Sequence, residues 1–275
     1  MTRTLLRHLF LSSLFLFLHS LVLVPDVTAQ DSLTYEREEP PTLEMLLSVR
    51  ERFEYKVTYS FFTVGWVQVE LLSDSTYNGN PAHHLRTVIE ANHKIPFVSK
   101  NRAHYENLFY TDDEYPYSYQ FWRDDIHDDN PKAELIIFDR EDEQVYFFED
   151  GEPTDTLALK EPASGGDVIF IISRMFAGAD KEYRIPVYLQ GDMGYVTSKS
   201  SPETEMREYE AFDEPVEAYK SEGNADIDGP FGFTGKFTSW FATDDRRIPL
   251  EAHVKVLFGN VKIKLTNYEI IDDEL

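Results

Sequence analysis

Four consecutive charges, Asp244, Asp245, Arg246 and Arg247, stand between an aromatic stretch, Ser239-Trp240-Phe241-Ala242, and the run Ile248-Pro249-Leu250-Glu251. Carboxylates such as Asp244 or Glu251 could act as general bases in a hydrolase. The same residues suit a hairpin tip. Aspartate at the start of a turn accepts bonds from its own backbone. Pro249 has no N–H for a ladder and favours an edge or a strand entry. The turn is the stronger reading, because sequence alone does not pair two carboxylates across space.

Metal chemistry has three candidates. His83, His84, His93 and His104 lie near one another, with Glu106 as a further ligand. Adjacent residues of a strand point to opposite faces, which sets His83 and His84 apart and favours independent histidines. Asn224, Asp226 and Asp228, followed by Gly229, imitate the first half of a calcium loop. The twelfth position is Gly235, where a bidentate glutamate is required. Asp125, His127, Asp129 and Asn130 repeat the spacing, with Ile136 at the closing position. Both stretches read as polar turns, with calcium the cation they would take. No other cofactor is expected. The chain has no cysteine, which removes thiol catalysis, cysteine zinc sites and disulfides. No nucleophile elbow, His-Glu-x-x-His pair or phosphate loop is present.

Aromatic residues offer a binding chemistry instead. Phe53, Tyr55 and Tyr59 form one stripe, Tyr117, Tyr119 and Phe121 another, and Phe147 and Trp240 add to them. Curved sheets enclose ligand spaces, and such stripes would line one for a lipid or a sugar. Core packing accounts for the same stripes, so both readings stand.

The elements that must position these residues are strands. "RFEYKVTYS" places Phe53, Tyr55, Val57 and Tyr59 on one face and Glu54, Lys56 and Thr58 on the other. Period-two alternation of this kind predicts a half-buried antiparallel strand. "VGWVQVELL" follows, with Gly65 marking a bulge or a close crossing. Further strands are predicted over 83–91, 104–111, 117–123, 133–140, 144–150, 183–190, 195–200, 203–211, 216–223, 232–243, 247–258 and 261–270. Acidic or proline-containing turns separate them. One helix interrupts the series. Asp167 would cap "VIFIISRMF" and Gly178 would stop it, although the β-branched run Val168–Ile172 also suits a buried strand. The fold class expected is all-β with one short helix, a large antiparallel meander curved into a barrel-like or clam-like sheet.

The chain opens with Arg3 and Arg7, an apolar stretch from Leu9 to Val24, and Val27-Thr28-Ala29 before Gln30. That order predicts a signal peptide over 1–29, cleaved near Ala29, and a periplasmic or secreted protein. Residues 30–50 read as a linker with a short lead-in helix, and 51–271 as a single β-rich domain. No later stretch is long and apolar enough for a membrane helix. A membrane barrel would need apolar bands on every strand, whereas "EMREYEA" and "VEAYKSE" carry charge on both faces. The formal charge is −24. Such a surface repels nucleic-acid phosphates and anionic membrane faces, so no nucleic-acid partner is expected.

"WFATDDRRIPLEAHVKVLFGNVKIKL" resembles the C-terminal signature of exported bacterial proteins known as domain of unknown function 3108. Trp240, Asp244, Asp245, Arg247, Ile248, Pro249 and Gly259 carry the likeness. "ERFEYKVTYSFFTVGWVQVEL" is similar to that family's first hairpin, through Tyr55, Tyr59 and Gly65, although Val49-Arg50 stands where the family has Gly before Glu. "GGDVIFIISRMFAG" resembles its helix, through Asp167 and Arg174. The likeness spans 53–268. It implies an exported all-β domain and transfers no catalytic residue. The function expected is an envelope binding module for an apolar or glycan ligand or an envelope partner. A secreted carboxylate hydrolase and a structural assembly factor are the alternatives.

Overall fold

Strand β1 (Arg50–Tyr59) shows in the computed structural model why this chain makes sheet. Glu51, Phe53 and Tyr55 are buried, while Arg52, Glu54 and Lys56 lie on the opposite, half-exposed face. Burying one such aromatic side chain contributes about 2–3 kcal/mol, enough for alternation to choose the face. The structure describes residues 39–271 except 96–97, 99, 113–114, 127–131, 230–232 and 257–258. The expected signal peptide and most of the linker lie outside the described residues, as do His127, Asp129 and Asn130.

The remaining strands are β2 (Phe62–Leu71), β3 (Ser75–Tyr77), β4 (Asn80–Ala91), β5 (Arg102–Thr111), β6 (Pro116–Asp125), β7 (Ala133–Asp139), β8 (Gln144–Glu149), β9 (Glu152–Ala158), β10 (Glu182–Leu189), β11 (Asp192–Arg207), β12 (Val216–Ala225), β13 (Gly235–Ala242), β14 (Pro249–Val256) and β15 (Gly259–Ile271). A lead-in helix, α1 (Leu43–Leu47), precedes β1 and is capped by Thr42, whose hydroxyl accepts from the Met45 N–H at 3.2 Å. The second helix, α2 (Ile169–Phe176), follows a 3₁₀ turn over Gly166–Val168. Helix rather than buried strand is therefore the outcome for this β-branched run. Gly178 ends it as expected, with φ +78.

All strand pairing is antiparallel, in the order β10-β11-β12-β13-β14-β15-β1-β2-β4-β5-β6-β7-β8-β9, with β3 paired to β4. The last strand thus lies beside the first, in the middle of the sheet. The two edge strands, β9 and β10, are consecutive in the chain. They are not laddered to each other. Instead, Ser164 of the connecting segment bridges Val187 of β10, and the Tyr188 hydroxyl donates to the Ala158 carbonyl at 2.9 Å. The connection that carries α2 therefore forms the seam of a barrel-like sheet.

Two predicted strands, 195–200 and 203–211, are one strand, β11, with a register shift between Ser200 and Thr204. Strand β9 escapes the sequence reading because "EPTDTLA" is exposed almost throughout and shows no alternation. Gly65 does mark a close approach. A Cβ there would lie 2.5 Å from the Glu90 carbonyl oxygen, and the β1–β2 register shifts beside it.

Candidate functional site

Helix α2 carries a charge into the core. Ile171, Ile172 and Arg174 are all buried, and Phe170 packs edge-on against Phe53 with ring centroids 5.0 Å apart. A buried guanidinium must be paired. Arg174 donates from Nη1 and Nη2 to Glu51 Oε2 and Oε1, at 2.8 and 3.1 Å. Its Nε donates to the Arg246 carbonyl at 2.9 Å. Glu51 also accepts from Arg246 Nε at 2.7 Å and from the Tyr268 hydroxyl at 2.8 Å. Burial pushes the Glu51 carboxyl up, and Arg174 and Arg246 together more than offset this, holding it below its ordinary value. Glu51 is thus an ionised carboxylate that already accepts four hydrogen bonds. Burial and the neighbouring Glu51 raise the Tyr268 hydroxyl.

The four-charge stretch 244–247 forms the other half of this cluster. Asp244 Oδ1 accepts from the N–H groups of Arg246 and Ile248, at 3.1 and 3.2 Å, as a turn aspartate does. Burial raises its pKa. Asp245 is exposed. Arg246 sends Nη1 and Nη2 to the carbonyls of Met45 and Leu46, at 3.0 and 2.9 Å. Arg247, fully buried at φ +48, donates to the carbonyls of Thr243 at 2.6 Å, of Ala177 at 3.4 Å and of Asp244. Its guanidinium lies 5.0 Å from the Tyr219 ring centroid. Met45, Leu46 and Ala177 sit at the C-terminal ends of α1 and α2, where carbonyls lack helical partners and attract cations. The Asp-Asp-Arg-Arg turn therefore caps two helices. The Pro249 carbonyl accepts from the buried Tyr55 hydroxyl at 2.9 Å.

At the other end of α2, Asp167 does not cap the helix. It sits inside the 3₁₀ turn, where Asn107 of β5 donates to its Oδ1 at 2.8 Å. Burial pushes its pKa up to about 7. Asn107 Oδ1 and Asp167 Oδ2 are both buried acceptors without a partner among the described residues. A proton shared between them would satisfy both, as in a carboxylic acid paired with an amide.

The eight aromatic residues divide among several environments, with Phe147 buried 6.5 Å from the Tyr188 ring. Phe53 and Tyr55 pack against Phe170, and Phe121 lies 6.1 Å from Tyr105 in the core. Tyr59 is half-buried near Gly259 at the end of β1. Tyr117 and Tyr119 do not share a face with Phe121, because the β5–β6 register shifts between Leu108 and Phe109 and inverts the alternation. They join an outer row instead. Tyr77 stacks on Tyr119 at 4.9 Å, Tyr119 lies 4.7 Å from Tyr110, and Tyr110 stacks on Tyr117 at 5.2 Å. The Arg140 guanidinium lies 5.1 Å from the Tyr110 centroid, and the Tyr117 hydroxyl donates to Asp112 at 2.6 Å.

Trp240 is covered on the outer face by the β11–β12 hairpin. Arg207 lies 4.1 Å over its ring, and its indole N–H donates to Glu205 at 2.5 Å. Beside it Glu251, opposite Trp240 in register, accepts from Arg207 at 2.5 Å and meets His253 Nε2 at 2.6 Å. Burial raises the Glu251 carboxyl, and Arg207 and His253 bring it below its ordinary value.

The histidines stay apart: His83 meets Asp74 at 3.0 Å and His84 meets Glu106 at 2.5 Å. Asn224 lies within β12, and the Asp226 carboxylate takes the Tyr195 N–H. Among the described residues no three His, Cys, Asp or Glu side chains are grouped to hold a metal ion. Two clefts of about 350 and 320 Å³ are present, the first at the seam by Glu134, Phe148, Asp155 and Gln190, the second by Leu47, Arg50, Leu72 and Ile271. Of the eight aromatic residues only Phe147 lines the first cleft, and none lines the second.

Across five neighbouring strands the outer face carries a charge ladder. Glu269 pairs with Arg52, Arg52 with Glu70, Glu70 with Arg86, and Arg86 with Glu106, each pair directly opposite in register. The contacts measure 2.5, 2.6, 3.8 and 3.3 Å. Such a face is not the apolar band that lipid demands of a membrane barrel. Among the described residues no helix is long and apolar enough to cross a membrane.

Sequence reasoning missed Glu51, Asn107 and Tyr268. The signal was present for Glu51, a charge in phase with Phe53 and Tyr55 on the core-facing side of β1.

Comparison with known proteins supplies a family. The family model described as "Protein of unknown function (DUF3108)" matches residues 54–266. No protein of curated function matches the chain. Among solved structures, a β-barrel-like protein of domain of unknown function DUF1849 from Brucella abortus is similar. It has a TM-score of 0.51 and 11% identity, over 82% of this chain and 99% of its own. A protein with a YmcC-like fold from Bacteroides fragilis aligns with a TM-score of 0.34 and 9% identity, over 80% of this chain and 95% of its own. The Brucella likeness agrees with the barrel-like sheet.

Proposed function

The chain belongs to the DUF3108 family, and from that premise we propose that it is a non-catalytic binding module of the bacterial envelope with a glycan as its ligand class. The observation that carries this reading is the outer row Tyr77, Tyr119, Tyr110 and Tyr117, half-buried and flanked by Arg140 and Asp112. Aromatic faces carry negative potential and attract the polarised C–H groups of a sugar ring. Arg140 and Asp112 would supply hydrogen bonds to hydroxyls. An apolar ligand inside the sheet draws less support, because Phe170 fills the space beside Phe53 and Tyr55.

The hydrolase alternative needs a carboxylate free to move a proton. Glu51 and Glu251 are instead held ionised by arginines, and Asp244 is bonded to its own turn. The test is retention of oligosaccharides by the immobilised protein, compared with Tyr110→Ala and Tyr119→Ala variants. The reading expects an oligosaccharide retained by the wild type and lost in both variants. Retention of none, or equal retention by the variants, would sink it.

A further inference from the structure

The net charge of −24 conceals a sector of the opposite sign. Residues 55–69, 91–105 and 252–268 contain no aspartate or glutamate. They hold Lys56, Lys94, Lys100, Arg102, Lys255, Lys262 and Lys264. These three segments are distant in sequence, but the strand order places them together. They comprise the β1–β2, β4–β5 and β14–β15 hairpin ends, and β14, β15, β1, β2, β4 and β5 are consecutive neighbours in the sheet. All three hairpins turn at the same rim. Lys94, Lys100, Arg102, Lys255 and Lys262 are exposed there. Lys94, Lys100, Lys255 and Lys262 have no ion pair among the described residues.

The same sector exposes its largest apolar groups. Phe61, at the tip of the β1–β2 hairpin, is 82% exposed, and Phe62 lies beside it with ring centroids 4.1 Å apart. Trp66 on the outer face of β2 is 44% exposed. A phenylalanine that protrudes as Phe61 does costs solvation unless something apolar receives it. Flanking lysines specify that the receiving surface also carries negative charge.

We propose that this sector of the rim rests on an anionic lipid bilayer, with Phe61 and Phe62 entering the interfacial zone and the lysines facing lipid phosphates, while the exposed Asp150, Glu152, Asp192, Asp226 and Asp228 elsewhere on the rim stay clear of it. Aromatic side chains favour that zone, and each basic residue near an anionic leaflet adds to the attraction. The opposite rim bears Asp74 after β2 and Asp139, Glu141 and Asp142 at the β7–β8 turn. The tyrosine row lies toward that far rim, since β5 ends just after Tyr110 and β6 begins just before Tyr117. Strands of this length hold the two ends about 30 Å apart. The proposal does not rest on the glycan reading, and either can fail alone.

The experiment is vesicle flotation with the protein as its host produces it. One vesicle set is a 3:7 mixture of phosphatidylglycerol and phosphatidylethanolamine, and the other is phosphatidylcholine alone. The expected result is at least tenfold more protein on the anionic vesicles at low salt, with most of it released at high salt. A Phe61→Ser/Phe62→Ser variant and, separately, a Lys94→Glu/Lys100→Glu variant should each reduce binding at least fivefold. Both alter exposed side chains, and near-UV circular dichroism checks that each is folded. Equal binding to both vesicle sets, binding unchanged in both variants, or no binding at all would overturn the proposal.

Discussion

Arg246 donates through Nε to Glu51 Oε1 at 2.7 Å, joining residues 195 positions apart in the chain. The bond ties the turn after β13 to the start of β1, and Arg174 on the same carboxylate draws in α2. The family-like turn is thus a structural clasp for both helices.

Removing the carboxylate charge leaves two arginines buried without their counter-ion. Glu51→Gln should therefore cost about 3–5 kcal/mol in urea unfolding. Adding Arg174→Met should recover part of that loss, because the double variant buries one fewer unpaired charge. A neutral Glu51→Gln would show that the cluster is not the clasp described.

Asp244 acts through Oδ1 as an acceptor, so its charge is dispensable. Asp244→Asn keeps the acceptor and should change stability by less than about 1 kcal/mol. Asp244→Ala leaves the Arg246 and Ile248 N–H groups unpaired and should cost about 1–2 kcal/mol. Equal losses in thermal unfolding would point instead to the carboxylate charge.

Stability should fall on both sides of mildly acidic pH. Glu51 and Glu251 have depressed pKa values, so their contribution is present above the ordinary value of 4.5 and lost as pH falls through the lower folded values. Asp167 is raised from 3.8 to about 7, so the folded state holds the extra proton, and its contribution is lost as pH rises from 3.8 through 7. Asp167→Asn keeps a donor for Asn107 Oδ1 and carries no charge. It should be more stable than wild type at pH 8 and gain nothing at pH 4. Parallel pH profiles of urea midpoints for the two proteins would refute the assignment to Asp167.

Gly178 ends α2 at φ +78, and a Cβ there would lie 2.8 Å from the Tyr219 ring. Gly178→Ala should cost more than about 1 kcal/mol from the backbone alone, with the displaced ring adding to it. Thermal unfolding reads this directly, and an unchanged midpoint would mean that the helix ends differently.

The alternation of Phe53 and Tyr55 against Glu54 and Lys56 placed β1 from sequence, because side-chain direction along a strand is set by local sterics. The same locality made Asp244 legible as a turn residue and Gly178 as a helix stop. Exposed, non-alternating β9 gave no such signal. The split of Tyr117 and Tyr119 from Phe121 was also beyond the sequence, since a single bulge inverts the facing of everything after it. The meeting of Glu51 with Arg174, Arg246 and Tyr268, and the gathering of three acid-free hairpin ends at one rim, were decided by the tertiary structure. Contacts between residues so far apart depend on strand order and register. Those are chosen by the free energy of the whole packed sheet, which no local stretch of sequence encodes.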